Sequence, residues 1–362
     1  MSNPDLMQKI VSDEVLEEAF EWMCNRRQDY SANSDVWDVR WRWNDIRPQL
    51  QTQLLDGTYR FDVCRRFQGA EGTLNAWAAL DAIVLKAMAI VLSHHLAISD
   101  RCYHLLGHGG PKAAVRDVVK NLPHNPYVLR TDVKSYYASI DHDVLITQLQ
   151  EHISDSRLRG LLEQSLRRTV VEDGIYHHIT HGISLGCALS PVMGALYLQR
   201  LDARMEATGL FYARFMDDWV VLAPSRWKLR RAVRIVQQTL EELKVRVHPD
   251  KTFIGKVERG FSFLGYEINS AGLVGVARPT RDRFVERVLR LYEQGASSGC
   301  IGDYIRRWWR WVVSGLKEFV FCDGATEFYG QTALRLRTTP SPTRPKPRRA
   351  IEEGSGTTVS SI

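Results

Sequence analysis

Phe211-Tyr212-Ala213-Arg214-Phe215-Met216-Asp217-Asp218-Trp219-Val220-Val221-Leu222-Ala223 is an apolar stretch wrapped around two adjacent aspartates. Its arms alternate and are rich in aromatic and β-branched residues, so it reads as a β-hairpin with Asp217 and Asp218 at the tip. Neighbouring anions between apolar arms repel each other, and a cation is the natural remedy; the plain alternative is a polar turn. Upstream, Tyr127-Val128-Leu129-Arg130-Thr131-Asp132-Val133 is a second apolar strand, set off by Pro123 and Pro126. Asp132 lies at its end, where a charge is costly in a core unless it has a partner.

Outward from these strands the pattern is mostly helical. Val15, Leu16, Phe20 and Met23 share a helical face within residues 1–55, and Trp77 to Ile98 is a long helix candidate. Gly57-Thr58-Tyr59-Arg60-Phe61 reads as a turn entering a short strand, and Gly107 to Pro111 as a loop before a helix at Ala113 to Lys120. Helices are expected at 143–152, 156–168, 226–244, 280–293 and 301–319. Ser190-Pro191 is expected to open another, with a hydroxyl cap and proline in the first turn. Phe253 to Ile268 is expected to give two short strands around Glu258-Arg259-Gly260. The expected class is α+β, an antiparallel sheet backed by helices with more helix at both ends.

Of 362 residues, 44% are hydrophobic and 25% charged, as in a soluble globular protein, and the formal net charge of +6 permits a polyanionic partner without demanding one. Cysteines 24, 64, 102, 187, 300 and 322 form no CxxC pair, so neither a zinc ribbon nor a disulfide framework is expected. Scattered reduced thiols fit a cytoplasmic location. The N-terminus is polar and unlike a signal peptide, and the most apolar run, Ala76 to Leu92, is broken by Asp81 and Lys86, so no membrane partner is expected. His94, His95, His104 and His108 make no convincing ligand set and read as structural.

Four segments follow one another in order: Thr131-Asp132-Val133-Lys134-Ser135-Tyr136-Tyr137; Gly182-Ile183-Ser184-Leu185-Gly186-Cys187-Ala188-Leu189-Ser190-Pro191; Arg214-Phe215-Met216-Asp217-Asp218; and His248-Pro249-Asp250-Lys251-Thr252 with Phe263-Leu264-Gly265 behind it. Together they resemble the bacterial reverse transcriptases, the lineage of group II intron-encoded and retron enzymes and their short, stand-alone, defence-associated relatives. The resemblance covers roughly residues 75–270 and implies a right-hand polymerase with fingers, palm and helical thumb. It implies an RNA-directed DNA polymerase that takes dNTPs, an RNA template and a DNA product, with two Mg2+ ions (Mn2+ as substitute) about 3.5–4 Å apart.

By that resemblance Asp132, Asp217 and Asp218 are the metal ligands, joined by the Val133 carbonyl. Asp217 is expected to lead Asp218, because adjacent strand residues face opposite ways. Tyr137 is implied to exclude a 2′-hydroxyl, against the alternative of a core aromatic. Gly186 and Ser190 are implied to lie against the nascent base pair. Lys251 is implied to assist on the pyrophosphate side, against the alternative of a solvated lysine. Phe263, Leu264 and Gly265 resemble the primer grip, and Arg65 and Arg66 lie where fingers cations hold the triphosphate. In the thumb-like end, Arg306, Arg307 and Arg310 alternate with Trp308, Trp309 and Trp311, which suits backbone contact, a tryptophan core stripe, or both.

The sequence departs from the family pattern in three places. Phe215 stands where tyrosine is usual, Leu185 replaces the glutamine before Gly186, and Asp81-Ala82 replaces Asp-Arg. Leu185 raises primer- or template-independent synthesis as an alternative, and a non-catalytic RNA-binding, maturase-like protein is a third reading. The expected divisions are 1–125 (N-terminal helices and fingers), 126–275 (palm, with finger elements at about 143–180), 276–335 (thumb) and 336–362 (disordered Pro/Ser/Thr/Arg tail). The chain is too short for a full maturase domain or a Cys-rich endonuclease, so intron mobility by this chain alone is not expected; the resemblance to short family members implies instead a dedicated non-coding RNA as template, in antiphage defence.

Overall fold

The arms around Asp217 and Asp218 pair with each other and with the strand that ends at Asp132. The structure is a computed structural model and describes residues 5–69 and 72–314. In chain order its strands are β1 Cys64–Gly69, β2 Gly72–Ala76, β3 Tyr127–Asp132, β4 Thr169–Glu172, β5 Ile175–His178, β6 Phe211–Phe215, β7 Asp218–Ala223, β8 Phe253–Lys256, β9 Phe261–Phe263, β10 Tyr266–Asn269 and β11 Gly272–Val276. The central sheet is antiparallel with the order β6-β7-β3-β8. A second sheet runs β2-β1-β4-β5, and a third runs β11-β10-β9.

Alternation divides the central sheet into two faces. Leu129, Trp219 and Val221 join a core with Leu229, Ala232 and Val236 of the Arg226–Glu242 helix. The opposite face buries Val128, Val220 and Leu222 and carries Arg130, Asp132 and Asp218 toward one end, where the chemistry would lie. The Ala79–His95 helix is apolar nearly all round and buries Ile83, Met88 and Leu92 in the same core as Met7, Leu16 and Met23 of the N-terminal helices. Its one buried acid, Asp81, accepts from the Tyr59 hydroxyl at 2.6 Å and the Asp62 amide at 3.0 Å. Burial still pushes that carboxyl up to about 6.

Several expectations are corrected. Residues 57–61 form no strand; Tyr59 and Phe61 stack edge-on at 5.5 Å, as do Phe61 and Trp77, and the first strand begins at Cys64. Between the expected helix at 156–168 and the Gly182 loop the structure adds the β4–β5 hairpin, for which Asp173-Gly174, both at positive φ, is a strong two-residue turn signal. Phe253 to Ile268 holds three strands, because β8 pairs with β3 while β9 pairs with β10. Ser190 does not cap its helix; its hydroxyl donates to the Ser184 carbonyl at 2.6 Å.

The chain divides into units 1–274 and 275–362. In the second, Arg278–Glu293 and Ser298–Val313 form a helical pair whose core stacks Phe284 on Trp308 at 4.1 Å. The expected tail at 336–362 and the helix end beyond 314 lie outside the described residues. No helix among the described residues is long and apolar enough to cross a membrane.

Candidate active site

The strand register places Asp132 directly opposite Asp218, with Phe215 paired to Asp218 across the hairpin. Met216 takes a left-handed φ of 57°, unusual for a side chain with a Cβ, and the surroundings hold it there. Three bonds do so: the Met216 amide donates to His104 Nδ1 at 3.0 Å, Arg214 Nη1 donates to the Met216 carbonyl at 2.9 Å, and the Val133 amide donates to the Asp217 carbonyl at 3.2 Å.

Arg214 is fully buried and forms a two-pronged ion pair with Asp202, one prong at 2.7 Å, while Tyr212 donates to the same carboxylate at 2.8 Å. A buried pair with its hydrogen bonds satisfied fixes geometry more than it adds net stability. His104 carries the constraint further. Because its Nδ1 accepts, its Nε2–H donates, and the Pro191 carbonyl receives it at 3.1 Å. One imidazole thus ties the aspartate turn to the Ser190–Tyr197 helix.

Burial dominates the electrostatics of the turn. It raises the Asp217 carboxyl, with Asp132 adding repulsion and Lys251 and Arg130 opposing. It pushes Asp218 up to about 7, against Arg130. Lys251 Nζ donates to Asp132 Oδ2 at 2.7 Å, and Arg130 Nη2 to Asp218 Oδ2 at 2.9 Å. The other oxygens, Asp132 Oδ1 and Asp218 Oδ1, are buried with no hydrogen-bond partner.

Hard, buried, unpartnered carboxylate oxygens fit a divalent ion of the magnesium type. Among the described residues no group of three or more His, Cys, Asp or Glu side chains is placed to hold a metal ion; the register pairs Asp132 with Asp218, and Asp217 lies in the turn just before β7. Lys251 and Arg130 supply the positive charge there. The register also sets Asp218, not Asp217, across from Asp132, because β7 begins at 218.

Tyr137 lies on the short helix after β3; its hydroxyl is buried without a partner and Asp217 is near enough to raise the phenol further than burial alone. Gly194 is the residue that sequence reading missed. A Cβ there would sit 3.2 Å from the Tyr137 ring and 3.3 Å from the Tyr136 ring, and a glycine inside an apolar helix was the available signal. Gly186 adopts φ +85°, where a Cβ would meet only the Leu74 side chain, at 4.0 Å, and its neighbour Leu185 is 40% exposed. Ser190 is buried with its hydroxyl engaged, and Phe263 is fully buried, so surface contact from the β9–β10 turn falls to Leu264 and Gly265, both left-handed. Arg65 is exposed, while Arg66 pairs with Glu172 at 3.3 Å. In the second unit Arg306, Arg307 and Arg310 are exposed, and Arg306 pairs with Asp303.

A four-stranded antiparallel sheet that presents a turn of paired aspartates to a third aspartate, with helices on its other face, is the palm of a nucleotide polymerase. Residues 81–268 match the family model for reverse transcriptase (RNA-dependent DNA polymerase), over half the chain. The chain belongs to the reverse transcriptase family, a class of nucleotidyltransferases.

Among curated relatives, protein YkfC of Escherichia coli (strain K12) is 23% identical over 269 residues, 60% of this chain and 70% of YkfC. Group II intron-encoded protein LtrA of Lactococcus lactis subsp. cremoris is 26% identical over 202 residues, 53% of this chain but 33% of LtrA. Among solved structures, a chain of a partial Cas6-RT-Cas1–Cas2 complex aligns with 66% of this chain and 41% of its own length, at 20% identity and a TM-score of 0.41.

Proposed function

We propose that this chain extends a primer 3′ end with dNTPs on an RNA template. The observation that carries the reading is the pairing of Asp132 with Asp218, each with one buried carboxylate oxygen lacking a partner. Asp132, Asp217 and Asp218, with the Val133 carbonyl, would hold two magnesium ions, which supply activation of the attacking hydroxyl and charge for the leaving pyrophosphate. Arg214, His104 and Val133 fix the backbone on which the aspartates are carried. Lys251 has a half-exposed side chain, so it can leave Asp132 and serve the pyrophosphate side. Tyr137 sets its ring beside Asp217 and selects against a 2′-hydroxyl by bulk.

The resemblance to short family members extends this reading to a cytoplasmic enzyme that copies a dedicated non-coding RNA in antiphage defence. A second reading, synthesis without template or primer, draws on exposed Leu185, which lacks the amide that would touch a template base. Unpartnered carboxylate oxygens argue against a non-catalytic protein, where they are a liability.

Asp217→Ala and Asp218→Ala are expected to abolish Mg2+-dependent dNTP incorporation and to leave RNA binding largely intact. Incorporation that persists in the double variant removes the assignment. Sequencing products made on a defined RNA separates templated from untemplated synthesis.

A further inference from the structure

The Arg226–Glu242 helix has a basic outer face that the catalytic reading does not use. Arg226, Lys228, Arg230, Arg231 and Arg234 are all exposed. No carboxylate pairs with any of the five among the described residues; an ion pair on this helix, Glu242 with Arg204, lies beyond the basic stretch. Trp227 is 75% exposed in their midst, and the Arg230 guanidinium lies 5.1 Å from its ring centroid.

The helix presses Leu229, Ala232, Val236 and Leu240 into the core that holds Leu129, Trp219 and Val221. By alternation, Asp132 and Asp218 point from the other side of the sheet. The basic face therefore looks away from the catalytic face, and nucleic acid lying along the aspartates does not reach it.

We propose that this face is a second nucleic-acid site, which holds a single-stranded RNA segment on the back of the palm. Five unpaired cations attract a polyanion and release its counterions. An exposed indole flanked by arginines adds what a phosphate-binding patch alone does not need: a flat surface for an unstacked base. Duplex bases are already stacked, and an acidic peptide or an anionic membrane surface has no base to offer, so single-stranded RNA is the best match. The site would grip a part of the RNA that is not being copied.

The test measures binding of a fluorescein-labelled 30-nucleotide unstructured RNA by anisotropy at several salt concentrations. Full-length protein is compared with Trp227→Ala and with a variant carrying glutamine at all five cation positions. Circular dichroism checks the fold, which exposed substitutions should leave intact. The five-site variant is expected to bind roughly tenfold or more weakly at 150 mM salt and to show a shallower salt slope, because each lost phosphate contact removes about 0.7 from it.

Trp227→Ala is expected to lose about fivefold or more with the slope unchanged, since stacking is not ionic. Extension of a preformed short hairpin primer-template should match wild type in both variants. Equal RNA affinity in all three proteins overturns the proposal. So does an equal loss for duplex RNA or for phosphatidylserine vesicles, which would mark a general anionic surface. If wild type fails to extend the hairpin but the variants lose RNA, the polymerase reading falls and this site stands.

Discussion

His104 Nδ1 accepts the amide hydrogen of Met216, although 112 residues of chain separate them. The contact fixes the turn that carries Asp217 and Asp218, and it requires a neutral imidazole. Burial, aided by the nearby Arg214 charge, pushes the His104 pKa down to about 4. A histidine depressed in the folded state contributes stability above its unfolded pKa, about 6.5, and loses it as pH falls toward the folded value.

The expected outcome is that wild type melts above His104→Gln near pH 7 and that the gap narrows as pH falls from about 6.5 to 4. Glutamine can still accept and donate, so dNTP incorporation should survive better in His104→Gln than in His104→Ala. The alanine leaves the Met216 amide and Pro191 carbonyl unpaired, at about 1–3 kcal/mol each. Thermal melts across that pH range and steady-state incorporation check both points.

Lys251 neutralises Asp132 across 2.7 Å. Its side chain is half exposed, so solvent limits the pair to about 0.5–1 kcal/mol. Lys251→Met leaves Asp132 facing Asp218 with one cation fewer. Without magnesium the variant should melt slightly below wild type, and adding magnesium should raise its midpoint more than that of wild type. A smaller rise would mean that Lys251 helps to build the ion site instead of standing in for it.

Gly182 and Gly186 are both left-handed, at φ +77° and +85°, yet their surroundings differ. A Cβ at Gly182 would meet the Tyr137 carbonyl at 2.9 Å and Ala138 Cα at 3.0 Å, both backbone. Gly182→Ala should cost on the order of 2–4 kcal/mol, combining overpacking with backbone strain. At Gly186 a Cβ would meet only the Leu74 side chain, at 4.0 Å, so Gly186→Ala should cost only about 1–2 kcal/mol of backbone strain. Urea unfolding of the two variants gives the comparison directly.

Tyr137 should act through bulk, because its hydroxyl has no partner to lose. Tyr137→Phe is expected to keep discrimination between dNTP and rNTP, and Tyr137→Ala to lower it by roughly 10–100-fold. Competition kinetics with matched nucleotides measure this, and unchanged discrimination in the alanine variant would assign the ring to packing.

Replacing Arg214 by methionine should destabilise the protein by about 3–5 kcal/mol, since Asp202 is left as an uncompensated buried charge. Arg214→Met combined with Asp202→Leu should recover most of that loss in chemical unfolding. It should not restore incorporation, because the bond to the Met216 carbonyl stays broken.

Short-range pattern alone determined the aspartate hairpin, the strand ending in Asp132, and the major helices between residues 79 and 242, because period and turn residues are local signals. The Asp173-Gly174 turn is an equally local signal, carried by two adjacent residues at positive φ. Only the tertiary structure decided which aspartate faces which, since pairing register is set between strands and not along one. It alone brought His104 to Met216, Arg214 to Asp202 and Lys251 to Asp132. Each of those contacts satisfies a buried polar group with a partner distant in sequence or on another element, and the residues next to it in the chain carry no record of that partner.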